Sequence, residues 1–375
     1  MKRYKILTVA ALAAVTVAAM MTGCRGGGAA VTDGDTDTAT YLHMTDRGTY
    51  LEAVVLNPWH EGDTLGHYGL WEGDKQPAIP AGITPVHTPL SRSIVYSSVH
   101  TAAIYELGAE SSICGVADGQ YFSADDPITA RLASGNITDI GSSMAPTIEK
   151  VVDLHPDAIL LSPMDGVGTG GVESLGIPLI YMADYMEPTP LGRASWIALI
   201  GALYGRSDDA DAILAAVKND YKLLKQEASE AKHRPTVFTE RPFSGVWYVP
   251  GGVSYMARMI ADAGGRYAWS DDTSTGSLPL SEEAVIGKAA DADIWLIREL
   301  TTPTAAEIEA NVPHARAFKA FPGGVYVCNT METPIFNDIA FHPERVLADF
   351  VKIFNREPGD TISTDAGLRY YKPLK

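Results

Sequence analysis

Hydrophobic positions fall into three regimes along the chain. Residues 6–21 are apolar almost without interruption. A run of about 16 has the length of a signal-peptide core and is short for a helix that spans a bilayer. Residues 25–40 are mostly Gly, Ala, Thr and Asp, with Val31 the single large apolar side chain. Such a stretch buries nothing and is expected to be a flexible tether. From residue 41 onward apolar and polar positions interleave. Residues 49–56 are rich in β-formers and follow Asp46-Arg47-Gly48, which predicts a hairpin over residues 41–58. Residues 60–89 carry many Gly and Pro and are expected to wrap the surface.

Short, wholly apolar runs then alternate with helical spacing. Strands are predicted at 93–98, 112–117, 158–161 and 179–183, with helices at 101–107 and 147–154 between them. Fully apolar strands separated by helices indicate a parallel sheet covered on both faces. Residues 193–204 read as helix, and residues 207–231 as a second, longer one. Ser207 with Asp208 and Asp209 marks its start, and Ala210, Ile213, Leu214, Val217, Tyr221 and Leu224 recur on one face. The alternation then restarts, with strands at 236–239, 294–297 and 324–328 and helices at 253–263 and 341–355. The chain therefore reads as an α/β lobe, a long helix and a second α/β lobe. The segments are 1–24 signal, 25–40 tether, 41–90 β-rich extension, 91–206 first lobe, 207–231 interlobe helix, 232–358 second lobe and 359–375 tail.

Charge and cysteine content narrow the function. The formal net charge is −17, and it becomes three units more negative without Lys2, Arg3 and Lys5. No basic run offsets it, which argues against nucleic acid and against charge-driven docking on anionic lipid. Met21-Thr22-Gly23-Cys24 resembles the lipobox of bacterial lipoproteins. That resemblance implies cleavage before Cys24, acylation of Cys24 and a membrane anchor on the periplasmic side or cell surface. Cys114 and Cys328 remain, each in an apolar strand, and are expected to be buried thiols, with a disulfide between them the alternative. No CxxC and no His/Cys cluster with zinc spacing occurs, nor a GxSxG, HExxH or P-loop motif. Residues 166–171 match GxGxxG, but the next strand follows too closely for a helix to open there, so they read as a loop.

Five blocks in order resemble the solute-binding proteins of ABC importers for iron–siderophores, haem and cobalamin. They are the strand from Arg92 to Ser98 with Glu106-Leu107-Gly108-Ala109; Ile113-Cys114-Gly115-Val116; Ile140-Gly141 with the run from Ala145 to Leu160; Ala263-Gly264-Gly265; and the run from Ser281 to Val285 with Ala292-Asp293-Ile294. The resemblance covers residues 92–358. It implies two Rossmann-like lobes joined by one rigid helix, a chain that is not an enzyme and has no resident cofactor or metal, and a monomer working with a permease dimer and its ATPase. It further implies that Glu149 and Glu283, at equivalent places in the two lobes, dock on permease arginines, with Glu282 a competitor. Paired acids of this kind orient an encounter more than they add affinity.

Open α/β sheets bind ligands beyond the carboxyl ends of their strands. The residues expected to face a metal chelate there are Ser98, His100, Tyr121, Met164 and Tyr185 in the first lobe, and Arg241, Trp247, Trp269, Arg298 and Met331 in the second. Aromatic faces suit flat ligands and arginines suit anionic chelates. Trp247 and Arg241 stand out, and His100, Tyr121, Tyr185 and Met331 are candidates for direct contact with haem iron. Two alternatives stay open: an enzyme of the same fold acting on a chelate or tetrapyrrole, with Asp165, Asp184 and Asp338 as its acids, and a lipoprotein that displays a ligand without a permease.

Overall fold

A computed structural model describes residues 37–123, 125–356 and 367–374. The expected signal segment, Cys24 and most of the expected tether lie outside the described residues, and the described chain forms one compact unit.

The first lobe is built on a five-stranded parallel sheet in the order Leu179–Tyr181, Ala158–Leu161, Ser93–Val95, Ile113–Val116, Thr138–Asp139. Its strands are apolar at consecutive positions because both faces are covered. Ile94, Ile159 and Leu161 point into one core with Val151 and Val172. Val95, Ala158 and Leu160 point into the other, with Ile104 and Leu199. The second lobe repeats the design with Arg266–Tyr267, Thr236–Thr239, Ile294–Glu299 and Val325–Asn329 in parallel. Its outer edge is closed by Tyr371–Pro373, antiparallel to Val325–Asn329, so the expected tail contributes a strand.

The long helix, Ser207–Ser229, runs without interruption. Ala210 lies in the first lobe's core, Val217, Tyr221 and Ala228 in the second's, and Ile213 and Leu214 pack against both. It does not stand alone. Residues 193–204 break at Ser195-Trp196 into Pro190–Ala194 and Ile197–Leu203, and the closing helix is two pieces, Ile335–Phe341 and Pro343–Phe354. Leu191 and Ala194 enter the second lobe's core, whereas Ile197, Leu199, Ala340 and Phe341 enter the first. His342 fastens the same junction: its Nε2 reaches Glu106 at 2.7 Å and its Nδ1 reaches Glu344 at 3.0 Å.

The expected hairpin is present as Leu42–Asp46 paired antiparallel to Leu51–Leu56. Residues 60–89, expected to wrap the surface, instead complete a four-stranded sheet with Thr64–Trp71 and Thr84–His87. Ala53, Val55, Tyr68 and Leu70 alternate inward and share a core with the first lobe. The Tyr68 hydroxyl donates to Leu179 O at 2.8 Å and accepts from Tyr181 N at 2.9 Å. One side chain thus satisfies the exposed edge of the parallel sheet, which would otherwise invite pairing.

Candidate functional site

A cavity of about 360 Å³ takes its walls from both lobes. From the first come Ser98 and Tyr121, from the second Met331, Phe336 and Asn337. Local geometry sets each in place. Ser97 caps the helix Ser98–Glu106 by accepting from Val99 N, which puts Ser98 at the helix mouth just beyond its strand. Asp118 takes a left-handed conformation, φ 53°, which turns the chain sharply after Ile113–Val116 and leaves Tyr121 77% exposed. Asn329 ends its strand and its Oδ1 accepts from Met331 N and Glu332 N, at 3.0 and 3.2 Å, so the turn holds Met331 out with half its surface free. The charged residues of this lining are Asp125, Asp126 and Glu332, all acidic. Burial pushes the Asp126 carboxyl above its usual range while it caps the helix Pro127–Ala133.

A second cavity, about 380 Å³, lies on the first lobe between its strand ends and the extension. Met164 lines it together with Tyr96, Met144 and Trp59. Residues 166–171 form a loop on this cavity, followed by the short turn of 3₁₀ helix Val172–Leu175.

The sequence of the periplasmic binding protein family matches residues 94–322, more than half the chain. The chain belongs to that family. An uncharacterized lipoprotein of Methanocaldococcus jannaschii is 30% identical over 258 residues, 65% of this chain, and the chain spans 61% of that relative's length. Among solved structures, a periplasmic haem-binding protein of Pseudomonas aeruginosa aligns with a TM-score of 0.57 at 18% identity, over 76% of this chain and 99% of that one. A TroA-like periplasmic binding protein of Veillonella parvula aligns at 0.55 and 18%, over 77% and 96%. An Fe³⁺-hydroxamate transport system protein of Saccharomonospora viridis aligns at 0.54 and 22%, over 72% and 94%. These likenesses show the two-lobed binding-protein fold.

Within this periplasmic binding protein several expected contacts are corrected. Trp247 is wholly buried, packed among Phe238, Trp295 and Phe318, with Nε1 donating to Thr239 O at 3.0 Å. Its strand, Val246–Pro250, alternates, so its neighbour Tyr248 is the side chain that faces out. Trp269 is buried against Tyr267. His100 is buried as well. Its Nε2 meets Asp184 at 2.9 Å, and Asp184 also accepts from Arg193 at 3.0 Å, whose guanidinium lies 4.8 Å from the Tyr255 ring. Burial alone would raise the Asp184 carboxyl, but Arg193 and His100 outweigh it and hold it below its usual range. Tyr185 is half-buried and spends its hydroxyl on Pro163 O. His100 Nδ1 has no hydrogen-bond partner but is buried, and the Tyr185 hydroxyl is taken by Pro163 O, so neither side chain offers an accessible atom of the kind a haem iron would take.

Both arginines are partnered. Arg241 donates to Glu299 at 2.8 Å and Arg298 to Glu240 at 2.8 Å, a crossed pair at the ends of adjacent parallel strands. The acids weighed as catalysts are separate and occupied differently. Asp184 is in the buried cluster, Asp338 is held by Arg345 and Tyr370, and Asp165 is exposed 3.5 Å from His60. Among the described residues no group of three His, Cys, Asp or Glu is placed to hold a metal ion. Cys114 and Cys328 are buried free thiols, each on a strand of a different lobe.

The expected residues do not include Asn337 or the acidic lining at Asp125 and Asp126. These sit on a helix and a loop rather than directly after a strand, where position in the chain alone does not mark them as facing a cleft.

Proposed function

We propose that this periplasmic binding protein captures a metal chelate in the interlobe cavity and delivers it to an ABC permease, held at a membrane by lipid on Cys24. The observation that carries the reading is a cavity with one wall from each lobe, lined by the exposed Tyr121, Met331 and Phe336. Closure around such a site changes the environment of both lobes at once, and a helical junction packed from both sides keeps the hinge motion small.

The polar lining sharpens the ligand class among siderophores, haem and cobalamin. With Arg241 and Arg298 tied to Glu299 and Glu240, the cleft offers acidic groups and aromatic surface in place of free cations. A neutral or cationic chelate suits it better than a polyanionic one. Ferric desferrioxamine B, cyanocobalamin and haemin, titrated against the purified protein with thermal shift and native mass spectrometry, test this. The first two are expected to bind more tightly than haemin, and absence of binding by all three sinks the reading.

Glu149 and Glu283 support the delivery step. Each is exposed in the first turn of its helix, Ile148–Asp153 and Glu282–Ala289. Reversing both to Lys is expected to abolish uptake in cells while chelate binding stays intact. Retained uptake removes the docking role.

A further inference from the structure

The extension precedes the family match, which begins at residue 94, yet one of its loops closes a cavity at the first lobe's ligand-binding edge. Residues 57–65 form one wall. The other is made by Tyr96, just past Ser93–Val95, and by Ser162-Pro163-Met164, just past Ala158–Leu161. These are carboxyl ends of adjacent parallel strands, the position at which such sheets take ligands. The cavity is continuous in chain terms with the interlobe site: Tyr96 lines one and Ser98, two residues on, lines the other.

The loop is pre-shaped. Asn57 Oδ1 accepts from Trp59 N and His60 N at 2.9 and 3.2 Å, Asn57 N donates to Asp63 O at 2.9 Å, and Asp63 N to His60 O at 3.1 Å. At its tip His60 Nε2 lies 3.5 Å from Asp165 on the opposite rim. Three of the chain's exposed large apolar side chains, Met144, Met164 and Val167, gather on this one cavity. Isolated exposed apolar residues are ordinary; a cluster beside a cleft marks a contact surface. The Tyr96 hydroxyl is buried without a hydrogen-bond partner, a cost that a ligand acceptor would remove. Burial pushes that phenol up to about 12, so it stays a neutral donor.

We infer that the extension loop and the first lobe's strand ends form a second compartment of the ligand cleft, which takes an uncharged aromatic or apolar arm of the captured chelate. The inference rests on the chelate-binding reading above. The volume, near the low end of small-molecule sites, fits an arm rather than a whole chelate. The Trp59 ring and the two methionines supply the apolar walls, and Tyr96 supplies one hydrogen bond that fixes the arm's orientation. No Lys or Arg lines the cavity, so a carboxylate or sulfonate arm is disfavoured.

The test measures the affinity of ferric desferrioxamine B, cyanocobalamin and haemin for the full chain and for three variants. Trp59→Ala and Tyr96→Phe alter the compartment, and a Tyr121→Ala, Met331→Ala double variant alters the interlobe cavity. The compartment is supported if the probe that binds best is weakened at least fivefold by Trp59→Ala and at least threefold by Tyr96→Phe. Tyr96→Phe removes a single oxygen, so it keeps the test valid should Trp59→Ala fail to fold. If both compartment variants bind within twofold of the parent while the double variant loses affinity, the compartment is overturned and the interlobe reading stands. If only the compartment variants lose affinity, the compartment stands and the interlobe cavity is the wrong principal site. If no probe binds the parent chain, both readings fall together.

Discussion

The two lobes share a topology and end their parallel strands at the same cleft, but they treat those ends differently. In the first lobe the strand ends open into space. Tyr121 and Met164 are exposed, Tyr96 keeps an unpartnered hydroxyl, and an added sheet builds a further wall. In the second lobe the ends of Thr236–Thr239 and Ile294–Glu299 are tied to each other, while Met331 and Phe336 stay exposed. Arg241 and Arg298 are neutralised by Glu299 and Glu240, and Trp247 and Trp295 turn into an aromatic core. The same strand-end rule thus leads to exposed side chains at some strand ends and to mutually paired ones at others. On the proposed function, ligand selectivity would rest mainly on the first lobe and on the exposed Met331 and Phe336 of the second.

The comparison breaks most visibly at Trp247. If it is core, Trp247→Ala costs about 3–5 kcal/mol in urea unfolding. Variant protein that remains folded at low temperature keeps its chelate affinity, whereas a ligand-contacting Trp247 would lose affinity with little loss of stability. The crossed ion pairs come next. Glu240→Gln leaves Arg298 without its carboxylate in a mostly buried setting and is expected to cost about 1–3 kcal/mol. It also frees a cation at the rim, so relative affinity should shift toward haemin. An unchanged preference would mean that the rim does not face the ligand.

The junction between the lobes carries a pH signature of similar or smaller size. Burial alone would lower the His342 pKa, but the hydrogen bonds it donates to Glu106 and Glu344 outweigh burial and raise it to about 9. The bridge therefore contributes fully below the ordinary histidine value of about 6.5 and is lost as pH rises through 9. The same hydrogen bond lowers the Glu106 carboxyl, so that share is present above its usual range near 4.5 and fades below it. Stability is expected to be greatest between about pH 5 and 6.5 and to fall by about 1–2 kcal/mol toward pH 9, discounted because Glu106 is a third exposed. His342→Gln should remove the alkaline part of that slope; an unchanged slope would assign it elsewhere. The smallest effect on folding belongs to the exposed Tyr121. Tyr121→Ala should change stability by less than about 0.5 kcal/mol, and any larger loss of chelate affinity then reports the site alone.

The legibility of the site follows the same division. Ser98, Tyr121 and Met331 were found by placing residues just after apolar strands, and they meet in one cavity. Met164 was found by the same rule but lies in the neighbouring cavity, because a sheet that the Gly- and Pro-rich stretch 60–89 did not announce stands beside it. Trp247 was misplaced although its strand carries the clue. The alternation Trp247, Tyr248, Val249 puts every second side chain inside, which leaves Tyr248 and not Trp247 exposed. Arg241 and Arg298 lie at the strand ends as expected; that each would meet a carboxylate depends on which strands are neighbours.

The sequence alone determined the two α/β lobes, the unbroken helix from Ser207, the buried thiols and the family, because all of these rest on local periodicity and on motifs contiguous in the chain. Only the tertiary structure decided which polar groups are spent on each other and which are left for a ligand. Such pairings join residues such as Glu240 with Arg298, Glu106 with His342 and Tyr68 with Tyr181, tens to hundreds of positions apart. Their free energy depends on distance and burial in the folded chain, and neither quantity is encoded in any local window of residues.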